Sequence, residues 1–282
     1  MYLFSGICLM RSPEDSNVTP FAIEAVGFIY ARVRRMWNGF EGFRFFGVLR
    51  AVAVAGLAVA GMGGEGPAKL ESRYSDKEFP LSADPGAAQW KRVKPVIAET
   101  DRYGKPVEGH RTEIRSRWTK DNLYILYVCP YEKLFLRESP VTNSETNQLW
   151  NYDVAEVFIG TDFENIERYR ELQVSPQGEW VDLDIDRKNP KPEGGWKWNS
   201  GFDVKARIDP EKKIWYGEMR IPIESLYEPG KAPKVRAGTE MRVNCFRIQG
   251  GPGEARVYIT WQPPNNPSYH TPEAFGRLVL AR

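Results

Sequence analysis

From Thr112 onward the chain is built of short runs in which apolar or β-branched residues alternate with polar ones. Such runs occur at Thr112–Trp118, Asn122–Tyr131, Val154–Gly160, Arg168–Val174 and Trp180–Ile185, and again at Phe202–Ile208, Ile214–Ile221, Met241–Ile248, Val257–Trp261 and Arg277–Leu280. A period of two puts successive side chains on opposite faces, which is the signature of half-buried strands. Turn compositions separate the runs: Thr119-Lys120-Asp121-Asn122, Ser175-Pro176-Gln177-Gly178, Asp209-Pro210-Glu211-Lys212 and Gly250-Gly251-Pro252-Gly253. Glycine admits positive φ and proline pre-sets its own φ, so each cluster reverses the chain for a physical reason. Helical periodicity is confined to one turn at Ile223–Tyr227. About ten strands without crossover helices predict an all-β fold of mainly antiparallel pairing. A single jelly-roll-like β-sandwich over residues 81–282 is the expected architecture.

The N-terminal sixty residues follow a different pattern. No charge occurs from Ala51 to Gly64, a stretch too short to span a bilayer as a helix. Arg44 and Arg50 precede it, and Ala58-Val59-Ala60 offers the small-x-small site of a signal peptidase. Residues 1–60 are therefore expected to be an extension carrying a secretory signal, with Met36 as the candidate true start. Residues 61–80, polar and spotted with Gly and Pro, are expected to be a tether. The product would be secreted or periplasmic, with no membrane attachment after processing.

Composition narrows the function. Across the chain 41 % of residues are hydrophobic and 27 % charged, the usage of a globular protein. Residues 1–60 hold six basic and four acidic residues, which leaves 33 of each in the remainder of the 39 and 37. A balanced charge argues against nucleic acid and suits a neutral ligand. Two His and three Cys are too few for a His-rich metal centre or a disulfide framework. Cys129 and Cys245 both sit in apolar runs and are read as buried free thiols, a single disulfide being the alternative outside the cytoplasm. Aromatic residues reach 13 %, with nine Trp, enough to fill a β core and to line a binding face.

Several residues stand out from the core pattern. Trp150 and Tyr152 precede a strand, where loops place side chains at a sandwich rim. Asp153 and Glu156 cannot both enter an apolar core without partners. Tyr269 and His270 lie in a polar loop, Asn265–Thr271, that returns to the last strand. On Trp180–Asp186, alternation puts Val181, Leu183 and Ile185 on one face. Asp182, Asp184 and Asp186 share the other, either as the wet face of a sheet or as ligands for calcium. Two enzymatic or redox alternatives stay open. Glu156 and Asp182 could act as paired carboxylates of a glycoside hydrolase. His110, His270, Met219 and Met241 could supply axial ligands to a haem.

The order of motifs in this sequence resembles that of the family 9 carbohydrate-binding modules, from about Leu81 to the C-terminus. The carriers are Asp121-Asn122-Leu123-Tyr124-Ile125, Trp150-x-x-Asp153-x-x-Glu156-x-Phe158 and Tyr169-x-Glu171-x-x-Val174-Ser175-Pro176-x-Gly178. Trp215-x-x-Glu218-x-x-Ile221-Pro222, Arg242-x-Asn244-x-x-Arg247, Trp261 and Pro272-x-x-Phe275-Gly276 continue it. The resemblance implies a non-catalytic β-sandwich that binds glucans or xylans, with structural calcium and partner glycoside hydrolases. It implies a sugar clamped between Trp150 and Tyr269, with Glu156 accepting its hydroxyls. Asp153 and His270 join the candidate set. Trp198, with Trp196, is either a further platform or part of the core. Where the family can carry a basic residue after the Gly178 turn, this sequence has Glu179, Trp180 and Val181.

Overall fold

The structure, a computed structural model, describes residues 67–282. The signal-like stretch 51–64, the candidate start Met36 and the remainder of residues 1–66 lie outside the described residues. Twelve strands are present: β1 (Lys69–Tyr74), β2 (Val96–Ala98), β3 (Thr112–Trp118), β4 (Asn122–Pro130), β5 (Val154–Gly160) and β6 (Arg168–Val174), then β7 (Trp180–Asp186), β8 (Asp203–Asp209), β9 (Ile214–Pro222), β10 (Glu240–Gln249), β11 (Val257–Thr260) and β12 (Gly276–Ala281). Ten of them lie within a residue or two of the runs expected from alternation. The helical turn expected at Ile223–Tyr227 is a 3-10 turn over Ile223–Leu226.

The strands hydrogen-bond in one continuous path, β7-β6-β5-β10-β12-β1-β3-β4-β9-β8, with β11 added to β10 and β2 to β3. All pairings are antiparallel except those of β1, which runs parallel to both β12 and β3. Part of the segment expected as a tether is thus a central strand. Its pattern is faint because only Leu70 and Ser72 turn inward, and Ser72 is polar. Ser116 Oγ donates to Ser72 Oγ at 2.8 Å and removes the cost of burying both hydroxyls.

The path folds back on itself, so that β4 and β9 face β5, β6 and β10 across one apolar core. Trp215, Met219, Tyr127 and Ile125 meet Val157, Val174, Cys245 and Leu278 there. Two features set the spacing of the layers. The Tyr127 hydroxyl donates to the Glu156 carbonyl at 2.5 Å, from β4 to β5. Gly217 on β9 lies so close to β6 that a Cβ there would stand 2.8 Å from Val174 Cγ1. Cys129 and Cys245 are free and buried in this core, and burial pushes both thiols up to about 12.

Outer faces are covered as well. Segment 79–93 lies over β4, where Phe79 stacks on Tyr124 and Trp90 is fully buried. The buried Glu218 carboxylate anchors that segment by accepting from Ala83 N (2.6 Å), Ser82 N (2.7 Å) and Trp90 Nε1 (2.9 Å). On the opposite side, Val154, Phe158, Tyr169, Leu183, Phe246 and Ile248 form a second apolar layer, closed by Tyr269 and Phe275 from the loop before β12. Every residue of β5 is therefore buried, on both faces.

The alternation on β7 holds, but its acidic face is not wet. Asp182 is 1 % exposed and accepts from Ser200 N (2.7 Å) and the Ser200 hydroxyl. Asp184 pairs with Arg170 and, at 3.6 Å, with Lys191. Asp186 accepts from Lys188 N (3.1 Å) and Asn189 N (2.9 Å). The reason is the connection after β7, which wraps the strand's edge and brings Ser200 over it. Gly195 makes that approach possible: its φ is +84°, and a Cβ would stand 2.3 Å from the Asp184 carbonyl oxygen. Each of the three carboxylates engages protein donors, although Asp182 Oδ1 has none, and they do not converge as calcium ligands. Among the described residues no group of three or more His, Cys, Asp and Glu is gathered as for a metal ion.

Candidate functional site

Strand register creates the site. Glu156 on β5 stands opposite Gln173 on β6 and Phe246 on β10, and Phe158 stands opposite Glu171. Directly paired residues share a face. Glu156, Phe158, Tyr169, Glu171, Gln173 and Phe246 therefore all point out of the main core, as do Leu183 and Ile185 on β7. The 3-10 turn at Leu149–Asn151 adds Trp150, β11 adds Tyr258, and the loop before β12 adds Pro267, Ser268, Tyr269 and His270. All of these but Tyr169, Gln173 and Phe246 line, with Arg102, Gly194, Ile248 and Arg256, an open cleft of about 390 Å³.

Four of the residues singled out in the sequence meet in this cleft: Trp150, Glu156, Tyr269 and His270. Trp150 is half-buried, and its carbonyl accepts from the Arg256 guanidinium. Tyr269 is only 7 % exposed. One face of its ring stacks on Phe246, with centroids 4.0 Å apart, and its hydroxyl donates toward the carbonyls of Arg247 (3.1 Å) and Ile259 (3.2 Å). His270 Nδ1 is 2.7 Å from the Tyr169 hydroxyl. Burial and the charge of Arg187 hold its imidazole below the usual range, in the neutral form.

Asp153 and Trp198 lie elsewhere. Asp153 is 1 % exposed and accepts from Gly250 N at 2.8 Å, tying the start of β5 to the end of β10; burial raises its carboxyl to about 6. Trp198 lies beneath Arg170, whose guanidinium sits 4.5 Å from the indole centroid. That contact is on the face that Arg170 of β6 shares with Asp184 of β7, away from the cleft. Trp196, by contrast, packs at the margin of the apolar layer around the cleft.

The cleft floor is acidic. Glu156 and Glu171 are 2 % and 4 % exposed, and Gln173 Nε2 donates to both, at 3.1 Å from Glu156 Oε1. Burial raises both carboxyls; the charge of Glu171 raises Glu156 further, and Glu171 reaches about 7. Sequence reading had Glu171 among the family motifs but not in the site. Alternation alone placed Tyr169, Glu171 and Gln173 together; only the register of β6 against β5 brings them beside Glu156.

The alternative chemistries lose their geometry. Glu156 stands opposite Gln173, which stands opposite Val181, so Asp182 points to the other face and cannot pair with Glu156. Met219 and Met241 are fully buried in the main core, His110 is bound to Gln249, and His270 is in the cleft, so the four do not form one ligand set. A larger groove of about 640 Å³, along Lys120–Asn122, Pro222–Glu224 and Ala232–Val235, has no aromatic wall.

A family model described as carbohydrate family 9 binding domain-like matches residues 86–282. No curated protein matches the chain. Among solved structures, the chain is similar to a family 9 carbohydrate-binding module from Caldicellulosiruptor kristjanssonii in complex with cellotriose. That likeness has 17 % identity and a TM-score of 0.52, over 76 % of this chain and 94 % of that one. The module in complex with glucose gives 16 % identity and a TM-score of 0.54, over 76 % and 97 %. A carbohydrate-binding protein from Bacteroides uniformis, so described provisionally, gives 14 % and 0.58, over 76 % and 99 %. At these identities the likeness concerns the fold.

Proposed function

Since this chain belongs to the carbohydrate family 9 binding domain-like family, we propose that it is a secreted, non-catalytic protein that binds a glucan- or xylan-type saccharide in the cleft by aromatic stacking. The observation that carries this reading is the meeting of Trp150, Glu156 and Tyr269, from three separate elements, around one open cleft. A pyranose ring has apolar C–H faces and a rim of hydroxyls. Indole and phenol rings match the first, and buried carboxylates accept from the second. Tyr269 has one face on Phe246, so it presents a single wall, with Trp150 as the other. Export through the segment ending at Ala60, and work beside glycoside hydrolases in polysaccharide breakdown, complete the proposal.

Titration calorimetry of the full chain with cellobiose, xylobiose and longer oligomers tests it. Saturable heat with one of them, with no release of reducing sugar, is the expected result. No heat with any saccharide, or binding only to polyanions with steep salt dependence, would overturn it.

A further inference from the structure

The floor of the cleft holds more buried carboxyl groups than a neutral sugar requires. Glu156 and Glu171 lie on adjacent strands, both all but buried, and share the single amide of Gln173 as donor. Glu171 Oε2 has no hydrogen-bond partner although no solvent reaches it. Among the described residues no Lys or Arg comes within salt-bridge distance, 4 Å, of either carboxylate, and the charge of Arg256 acts on Glu156 only from farther off. The basic group nearest Glu171 is His270, with Nε2 3.8 Å from Glu171 Oε2, and that ring is held neutral. Arg102 and Arg256 stand at the rim, each donating to a main-chain carbonyl, of Pro267 and Trp150 respectively.

We propose that the cleft selects a saccharide carrying a protonated amine, its ammonium group seated over Glu156 and Glu171. This rests on the saccharide-binding reading above and names the class of ligand within it. A hydroxyl offers one neutral donor, whereas an ammonium offers three charged ones. Two carboxylates removed from water are costly unless a cation joins them. The Trp150 wall suits the same ligand, because an indole face attracts a cation as well as a C–H surface; the Tyr258 ring already carries the Arg102 guanidinium, 3.9 Å from its centroid. Burial makes both carboxyls hold their protons more tightly than usual. Arrival of an ammonium then releases a proton to solvent.

The test compares three disaccharides of one linkage by calorimetry on the full chain: β-1,4-linked glucosamine, cellobiose and β-1,4-linked N-acetylglucosamine. At about pH 6 the free amine is protonated. The glucosamine disaccharide should bind about tenfold more tightly than either neutral one, the gain of a charge-assisted hydrogen bond. It should also release a proton, seen as a heat that changes with the buffer's ionisation enthalpy. In Glu171→Gln the ratio should fall toward one. Should that variant fail to fold, the wild type at about pH 9, where the amine is neutral, should lose the same preference. Equal affinities for the three at pH 6 overturn the inference and leave saccharide binding intact. No binding of any of the three, nor of xylobiose and longer oligomers, overturns both.

Discussion

Tyr269 lies flat on Phe246, with ring centroids 4.0 Å and planes 15° apart, so the loop before β12 is fixed onto β10 by the same ring that walls the cleft. On the proposed reading, structure and binding are coupled at this residue and separable only by choice of substitution. Tyr269→Phe keeps the ring and removes the hydroxyl that donates to the Arg247 and Ile259 carbonyls. It should cost about 1 kcal/mol of stability and leave saccharide affinity little changed. Tyr269→Ala should lower both, with about 3–5 kcal/mol of stability lost. Chemical denaturation alongside calorimetry separates the two effects.

Trp150 provides the converse case. Its indole is half-buried at the edge of the second apolar layer, not sealed within it. Trp150→Ala should weaken saccharide binding by about 1–2 kcal/mol, roughly five- to thirtyfold. The accompanying loss of stability should be smaller than for Tyr269→Ala. An unchanged dissociation constant in a folded variant would remove Trp150 from the site.

The strand pattern was readable because each of the ten expected strands turns one apolar face into a buried layer, the main core or, for β7, the second apolar layer. β1 escaped because its inward positions are only Leu70 and Ser72, and its partners come from both ends of the described chain. Trp150 and Tyr269 were readable as aromatic residues in polar loops. Glu171 was not, since its neighbour Glu156 is fifteen positions away and adjacency depends on strand register. Asp182 misled for a related reason: Ser200 covers it through a loop whose path the alternation of β7 does not encode.

Calcium provides a direct check on those aspartates. Asp182, Asp184 and Asp186 each engage protein groups, with Asp182 Oδ1 left without a donor. The double substitution Asp184→Asn, Asp186→Asn should leave the response of the melting temperature to EDTA and calcium unchanged, because a cation that these groups do not hold contributes no linkage stabilisation through them. A calcium-dependent rise in melting temperature that the substitutions abolish would place a cation at these carboxylates.

Gly217 tests the packing of the two layers. A Cβ there would meet Val174 Cγ1 at 2.8 Å and Trp215 Cζ3 at 3.0 Å, and both side chains are fully buried. Neither can withdraw without opening a gap in the core. Gly217→Ala should destabilise by about 1–3 kcal/mol through overpacking, although alanine suits a strand better than glycine does. A neutral or stabilising effect in thermal denaturation would mean that the layers are less tightly apposed.

The buried acids of the cleft also fix the sign of a pH effect. Glu171 has its carboxyl raised from 4.5 to about 7, first by burial and against the hydrogen bond from Gln173. Below about pH 4 the residue is protonated folded and unfolded alike, and contributes no pH dependence. Between its unfolded and folded values the native state binds more protons than the unfolded chain. Stability from this residue therefore falls as pH rises through that window, then levels off above it. Glu156, raised in the same direction by burial and by Glu171, adds to the fall. Replacing one acid with its amide removes the penalty where it is felt. Glu171→Gln should thus be more stable than the wild type at about pH 8, by roughly 1–3 kcal/mol, with the gain shrinking toward about pH 4. Melting curves of both proteins across that range check it. A variant that is less stable at pH 8 by the same margin as at pH 4 would show that the Glu171 charge is compensated in the folded protein.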